Sequence, residues 1–198
     1  MMDPALVPVI DFWCGRPGSP ERDTFREIWF REATPAFDAE IRHRFLSLHE
    51  RAVAGGFNHA MDSADGCFAL LILFDQFPRN MFRGTARAFA TDAKAREVAA
   101  QAIAKGYDKE VASVHRVFFY LPYEHSEDLA DQERGLELMR DMGNERTIEA
   151  ALDHIDVIKR FGRFPHRNAA LGRTSTPEEI EYLKDGKSWG QGAPATTS

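Results

Sequence analysis

The chain has 198 residues, of which 43% are hydrophobic and 28% are charged, a composition typical of a folded globular protein rather than a disordered one. Its formal net charge of −6 argues against binding to nucleic-acid phosphates, and no apolar run approaches the roughly 18 residues that a membrane-spanning helix requires. Neither Cys14 nor Cys67 belongs to a CxxC motif, so a disulfide framework or a cysteine zinc site has no support. We therefore expect a cytoplasmic protein with a single domain over residues 1–189 and a disordered tail over residues 190–198.

Helical periodicity and capping residues predict helices along the whole chain. In chain order, the predicted helices cover residues 7–13, 23–31, 35–54, 63–77, 92–105, 111–121, 127–142, 145–161 and 177–184, and the central helix is opened by Asp62 or Ser63. Thr34 and Thr176 each precede a proline at the first helical position, and Ser126 is expected to act as an N-cap. Pro78 and Pro122 are expected to end the helices that precede them. Since no alternating strand pattern occurs, the sequence predicts an all-α fold of about eight to ten antiparallel helices.

Three polar clusters each follow an apolar segment. They lie in the stretches LLILFDQFPRNMFR (residues 70–83), YLPYEHSED (residues 120–128) and RFGRFPHRNAALGR (residues 160–173). Each combines aromatic or aliphatic residues with one proline and with arginine, histidine or carboxylate side chains. Because each cluster follows a buried helix, we expect the three to converge on one concave, partly open pocket.

The first interpretation of this pocket is a site for a small anionic ligand, with acid–base or hydrolase-like chemistry. Arginine suits bidentate binding of a carboxylate or phosphate, and a histidine beside a carboxylate suits proton transfer. The predicted ligand-binding residues are Asp75, Gln76, Arg79, Asn80, Arg163, Arg167 and Asn168. The predicted catalytic residues are His125, Glu127 and His166, with Glu127 or Asp75 orienting the histidine.

The second interpretation is structural. In it, Arg79, Arg163 and Arg167 cap helix ends and pair with Asp75, Glu127 and Asp156, because buried charges are normally paired. The histidines, His154 among them, are then satisfied core residues. The protein would be a scaffold that binds a protein or peptide partner, and the sequence leaves open whether it is an enzyme.

Neither a metal nor a cofactor is expected from the motifs. The Glu-x-x-His spacing of di-iron proteins should occur on two helices, but here it occurs once, from Glu40 to His43, on a charged face. The GxxxxGK[ST] and GxGxxG phosphate-binding motifs are absent.

Three long strings give the chain a family resemblance. The stretches LFDQFPRNMFRGTARAFATD, FYLPYEHSEDL and RFGRFPHRNAALGRTSTPEE resemble the bacterial family of unknown function DUF924, and the resemblance covers about residues 7 to 190. It implies an all-helical fold related to the tetratricopeptide-like superfamily, with α-solenoid-like packing. It implies no reaction, so catalytic roles are not carried over from it.

Overall fold

Helices form all the regular secondary structure in the part of the chain described by the computed structural model, which comprises residues 2–30 and 34–189. They are α1 (Val7–Cys14), α2 (Pro35–Val53), α3 (Ala64–Leu71), α4 (Phe77–Met81), α5 (Asp92–Ala104), α6 (Val117–Glu124), α7 (Leu129–Met142), α8 (Glu145–Phe161) and α9 (Pro177–Asp185). A π-helical segment, Ile72–Gln76, joins α3 to α4, and short 3-10 turns fill several connections. The predicted all-α class is confirmed, whereas tetratricopeptide-like packing stays a prediction. The predicted disordered tail, residues 190–198, lies outside the described residues.

Two apolar clusters form the core. The larger one takes buried side chains from the N-terminal turn through α8, including most of the apolar run in α3 and the π segment. The smaller one consists of Val157, Ile158 and Phe164, next to the loop that follows α8. In the described residues, no helix is long and apolar enough to cross a membrane.

The central helix passes through Pro78 instead of ending there, which corrects the sequence prediction. A proline has no backbone N–H, so the carbonyl of Phe74, four residues earlier, loses its helical partner. The Thr91 hydroxyl donates to that carbonyl at 2.6 Å. The preceding turn widens, so that the Phe77 N–H bonds to the Ile72 carbonyl five residues back. A distant side chain and a π turn together let the helix tolerate this proline.

Residues 23–31 do not form the predicted helix. The described part of this segment contains only a 3-10 turn, Glu27–Trp29, and Arg31 lies outside the described residues. The side chains of the segment cap α1 instead. The Arg26 guanidinium donates to the Phe12 and Trp13 carbonyls at 2.8 and 2.7 Å, and the Trp29 indole also donates to Trp13 at 2.8 Å.

Two further boundaries differ from prediction around the second polar cluster. Pro122 lies inside α6, which continues to Glu124, and the segment before Val117 holds only a 3-10 turn. The N-cap of α7 is Asp128, whose carboxylate accepts from two N–H groups of the first turn, and not Ser126. A carboxylate at this position satisfies the free N–H groups and favours the positive end of the helix dipole.

The packing of α5, α6, α7 and α8 positions the candidate site. The helix α7 packs against both α6 and α8, while α5 packs against α3 and α6. The end of α6, the π segment and the buried face of α8 therefore meet in one region.

Candidate functional site

A cavity of about 780 Å³ lies where these elements meet. One wall is apolar and largely aromatic, and it includes Trp13, Trp29, Phe30, Leu121, Met139 and Trp189. Buried or half-buried polar side chains line another part, and they are Gln76, Arg79, Asn80, Arg83, Glu124, His125, Thr147 and His154. A space of this size that combines an apolar wall with converging polar groups is typical of a small-molecule pocket.

Asp75 and His125 form a hydrogen-bonded pair beside the cavity. Asp75 lies in the π segment and is 1% exposed, while His125 follows the last residue of α6. The Nδ1 atom of His125 lies 2.8 and 3.0 Å from the two carboxylate oxygens of Asp75. A carboxylate accepts hydrogen bonds, so the network assigns the proton to Nδ1 and the lone pair to Nε2. Among the described residues, nothing hydrogen-bonds to this Nε2.

Neighbouring groups set the charge state of the pair. Burial alone would raise the pKa of the Asp75 carboxyl, but the Arg79 guanidinium at 3.1 Å and the His125 ring hold that pKa well below its ordinary value. Gln76 also donates to Asp75, at 2.5 Å. Burial, reinforced by Arg79, lowers the pKa of His125. At neutral pH the pair is therefore an ionised aspartate beside a neutral imidazole.

Asp92 joins the first and third polar clusters. It accepts two hydrogen bonds from Arg79, both at 3.1 Å, and one from Arg167 at 3.5 Å. Arg167 also donates to the His125 carbonyl at 2.9 Å, which connects the second cluster. The first two clusters meet at the cavity as the sequence analysis expected, but no residue of the third cluster lines it. The third cluster is joined to the other two through Arg167 and Asp92, and Asp92 was not among the candidates.

Five of the candidate residues belong to the cavity or lie directly behind it. Gln76, Arg79, Asn80 and His125 line it, and Asp75 supports His125. Asn80 donates to the Asp38 carboxylate of α2 at 2.8 Å, which fixes its amide.

The other candidates lie outside the cavity lining and have structural contacts. Arg163 makes a bidentate pair with Glu179 at 2.6 and 2.8 Å, and Asn168 donates to the same carboxylate at 3.2 Å. Glu127 makes a bidentate pair with Arg173 at 2.7 and 2.9 Å. These contacts attach the segment after α8 to α9 and to the loop between α6 and α7.

The structural interpretation named the wrong partners for two of its arginines. Arg79 does contact Asp75, as expected. Arg163, however, pairs with Glu179, and Arg167 pairs with Asp92. The observed partners, Glu179 and Asp92, lie in α9 and α5. Both pairs therefore depend on how these two helices pack, which the sequence analysis did not consider.

His166 is half-buried against aromatic rings. Its ring centroid lies 5.5 Å from that of Phe164 and 5.4 Å from that of Trp189, and its Nδ1 atom has no hydrogen-bond partner in the described structure. Burial and the nearby charge of Arg167 lower its pKa to about 3. His166 is therefore neutral at physiological pH and does not line the cavity.

Glu124 and His154 form a second buried pair that the sequence analysis did not select. Glu124 Oε1 lies 3.3 Å from His154 Nδ1, and each residue is 4% exposed. Burial, together with the charge of Asp75, raises the pKa of Glu124 to about 8. The Trp189 ring stacks on His154 with centroids 3.9 Å apart. Glu124 stands next to His125 in the chain, but only the packing of α8 on α6 brings His154 to it.

Glu124, His125 and His154 also form a group with metal-ligating side chains. Each offers one donor atom, and these three atoms all lie within 4.8 Å of one another. They line the same cavity.

Arg146 is a further cavity residue that sequence reasoning missed. It is exposed on the first turn of α8, and its guanidinium carbon lies 4.9 Å from the centre of the Phe25 ring. Within the described residues it has no carboxylate partner. Arg79 and Arg83, which also line the cavity, instead pair with Asp92 and Asp38.

Comparison with known proteins identifies relatives whose function is also open. A family model for DUF924, described as a bacterial protein of unknown function, matches residues 9–187. A solved structure of ATU0120, a protein of unknown function from Agrobacterium tumefaciens, is similar, with 41% sequence identity and a TM-score of 0.81. The similarity covers 91% of this chain and 97% of that one. No curated protein matches this chain.

Proposed function

Since the chain belongs to DUF924, a family of bacterial proteins of unknown function, we propose from its cavity that it binds a small organic anion and transfers a proton at His125. The observation that carries the proposal is the charge of the lining. Among the described residues, three arginines and one carboxyl group line the cavity, and that carboxyl, Glu124, is held protonated at neutral pH by a pKa of about 8. A cavity with this balance favours an anion.

Arg146 is the group best suited to bind the anion. Two of the three lining arginines already pair with aspartates behind the cavity, so their charge is largely compensated. Within the part of the chain that the structure describes, the guanidinium of Arg146 contacts only the Phe25 ring, which leaves its donors for a carboxylate or phosphate. Asn144 and Thr147 lie on the same turn and add polar groups nearby.

The apolar wall selects the remainder of the ligand. Trp13, Trp29 and Trp189 all line the cavity. Aromatic rings stack on flat or aliphatic groups and exclude water from them. The ligand class that fits is an anion attached to an aromatic or aliphatic body, small enough for a cavity of about 780 Å³.

Proton transfer is assigned to His125. Asp75 keeps the proton on Nδ1 and would stabilise the imidazolium that forms when Nε2 takes a second proton. Glu124, protonated at neutral pH, lies nearby as a proton donor. A base and an acid whose pKa values are set apart by their surroundings are the usual arrangement for acid–base catalysis, including hydrolysis with water as nucleophile.

A thermal-shift screen tests the binding. The ligands are aromatic and aliphatic carboxylates and phosphorylated metabolites, applied to the wild type and to Arg146→Gln. A ligand at 100 times its Kd stabilises the folded state by about 2.7 kcal/mol. We expect a rise in Tm with the wild type that is largely lost in Arg146→Gln.

The matched control is Arg134→Gln. Arg134 is an exposed arginine on α7 that pairs with Glu137 and does not line the cavity. The Arg134→Gln variant should show the same rise in Tm with the ligand as the wild type. No Tm shift with any anion, or equal shifts in all three proteins, would contradict the proposal.

His125→Gln separates binding from chemistry. Once a ligand is found, this variant should bind it but fail to convert it, because Gln cannot accept a proton. The second candidate, a scaffold for a protein or peptide, stays a prediction. The closed pairs of Arg163 with Glu179 and of Glu127 with Arg173 support a structural role for those four residues alone.

A further inference from the structure

We infer that Glu124, His125 and His154 form a binding site for a divalent transition metal at the base of the cavity. Two imidazoles and one carboxylate are the ligand set of catalytic zinc sites and of mononuclear Fe²⁺ sites, which keep open positions for water or substrate. The three side chains meet in the cavity although they come from α6, the residue after it, and α8.

The spacing of the donor atoms is close to that of a bound metal. One ligand atom from each of the three side chains lies within 4.8 Å of the other two. Donors of a tetrahedral ion with bonds of about 2.1 Å are separated by about 3.4 Å. Side-chain rotations that move a donor by about 1 Å are therefore enough to close the site around an ion.

Both histidines are oriented as metal ligands are. His125 donates from Nδ1 to the Asp75 carboxylate at 2.8 Å, and His154 contacts the Ala150 carbonyl through Nδ1 at 2.8 Å. Metal-binding histidines regularly donate their second N–H to a carboxylate or a backbone carbonyl, which fixes the tautomer. In both rings Nε2 thus carries the lone pair, and within the described structure neither Nε2 makes a hydrogen bond.

Glu124 provides an independent indication. Its Oε2 atom is fully buried, and no described residue hydrogen-bonds to it. Most buried polar side-chain atoms have a partner, and an orphaned one calls for an explanation such as an ion. A cation held by the two imidazoles would give this carboxylate the missing partner.

The metal would change the chemistry of the cavity. It would occupy the Nε2 lone pair to which the proposed function assigns proton transfer. A water bound to the metal would release a proton to solvent, and the resulting hydroxide would serve as the nucleophile or the base. Only this mechanistic consequence rests on the proposed function. Metal binding itself rests on the three ligands and Asp75.

Metal titration of tag-free protein tests the inference. The protein is dialysed against a chelator and then titrated with Zn²⁺ and, separately, with Co²⁺, while bound metal is counted by elemental analysis. We expect one tightly bound ion per chain and a visible Co²⁺ spectrum of low coordination number. The affinity should fall about 100-fold or more in Glu124→Gln and His154→Gln, and by about 10–100-fold in Asp75→Asn.

His49→Gln is the matched control. His49, like His154, is 4% exposed, is helical and contacts a backbone carbonyl through Nδ1, but it does not line the cavity. It should leave the metal affinity unchanged. Where a ligand variant fails to fold, as judged by circular dichroism, the Co²⁺ spectrum of the wild type decides instead.

Two results would overturn the inference: less than stoichiometric binding to the wild type, with a Co²⁺ spectrum like that of the hydrated ion, or equal affinity in the wild type and both ligand variants. The outcome of the thermal-shift screen on metal-free protein does not depend on the outcome of the metal titration, because anion binding is assigned to Arg146. A protein that binds anions but no metal keeps the proposed function and loses the metal site.

Discussion

Asp75 and His125 are fifty residues apart in the chain, yet the carboxylate of one lies 2.8 Å from Nδ1 of the other. The π turn places Asp75 below the end of α6, and the same carboxylate contacts Arg79 at 3.1 Å. One buried anion thus holds a cation and a histidine in place. Its structural and functional roles can be separated by substitution.

Asp75→Asn is expected to lower the free energy of unfolding by about 3–5 kcal/mol, because it leaves the buried Arg79 without one of its two anionic partners. Urea denaturation at neutral pH measures this loss. In ¹H–¹⁵N spectra, the His125 ring should also change from the Nδ1–H tautomer to a mixture of tautomers.

Asp62→Asn is the control for that substitution. The Asp62 side chain is 81% exposed and pairs with Lys105 at 3.2 Å, so its loss should cost about 0–1 kcal/mol. If both variants lost the same free energy of unfolding, burial of the Asp75–Arg79 pair would add nothing to the cost of breaking an ion pair.

Thr91→Val should destabilise the helix around Pro78. The Thr91 hydroxyl is the donor to the Phe74 carbonyl, and Thr91 is 5% exposed. Valine keeps the shape but leaves that carbonyl unsatisfied, which costs about 1–3 kcal/mol. Thr91→Ser retains the hydroxyl and should be clearly more stable than Thr91→Val in urea denaturation. The reverse order would show that packing, and not the hydrogen bond, is what matters here.

The parts of the fold with local signals were predictable. Thr34 and Thr176 cap their helices as expected, and Thr176 forms a full capping box with Glu179. The prediction that the helix ends at Pro78 was wrong. The hydrogen bond that compensates for this proline comes from Thr91, which lies 13 residues after it in the chain. A rule that considers only neighbouring residues cannot include such a partner.

The candidate site was predictable to a smaller extent. Asp75 and His125 could be selected because each stands among several other polar residues at the end of an apolar run. Arg146 and His154 lie in the ordinary amphipathic pattern of α8 and not in a polar cluster, and they reach the cavity only because α8 packs beside α6. No residue spacing within the sequence encodes that contact.

Arg167→Lys should destabilise the protein although it keeps the charge. The Arg167 guanidinium is buried 4.6 Å from the centre of the Phe89 ring and 4.5 Å from that of Phe164. Lysine cannot stack its flat group on both rings while donating to the His125 carbonyl, so we expect a loss of about 1.5–3 kcal/mol. Urea denaturation measures it.

Arg160→Lys is the matched surface substitution. Arg160 also lies over an aromatic ring, that of Phe161 at 4.7 Å, but its side chain is 53% exposed. The expected change is within about 0.5 kcal/mol. If both lysine variants were equally stable, the buried stacking of Arg167 would be energetically irrelevant.

Glu179 should make stability depend on pH in the acidic range. Hydrogen bonds from Arg163, outweighing burial, lower the pKa of Glu179 from its ordinary value of 4.5 to about 2. Between these two values the unfolded chain binds a proton that the folded chain does not, so stability falls as the pH falls. Above pH 4.5 the contribution is complete.

The measurement is urea denaturation of the wild type and of Glu179→Gln at several pH values between 6 and about 2.5. At neutral pH the variant should be less stable by about 1.5–3 kcal/mol, the usual value of hydrogen bonds to a charged group. This difference should shrink steadily below pH 4.5, because the wild type loses its advantage as Glu179 takes up a proton. Other carboxylates, such as Glu127, titrate alike in both proteins and cancel in the comparison. A difference that stays constant across the whole range would show that the Arg163–Glu179 pair acts through shape and not through charge.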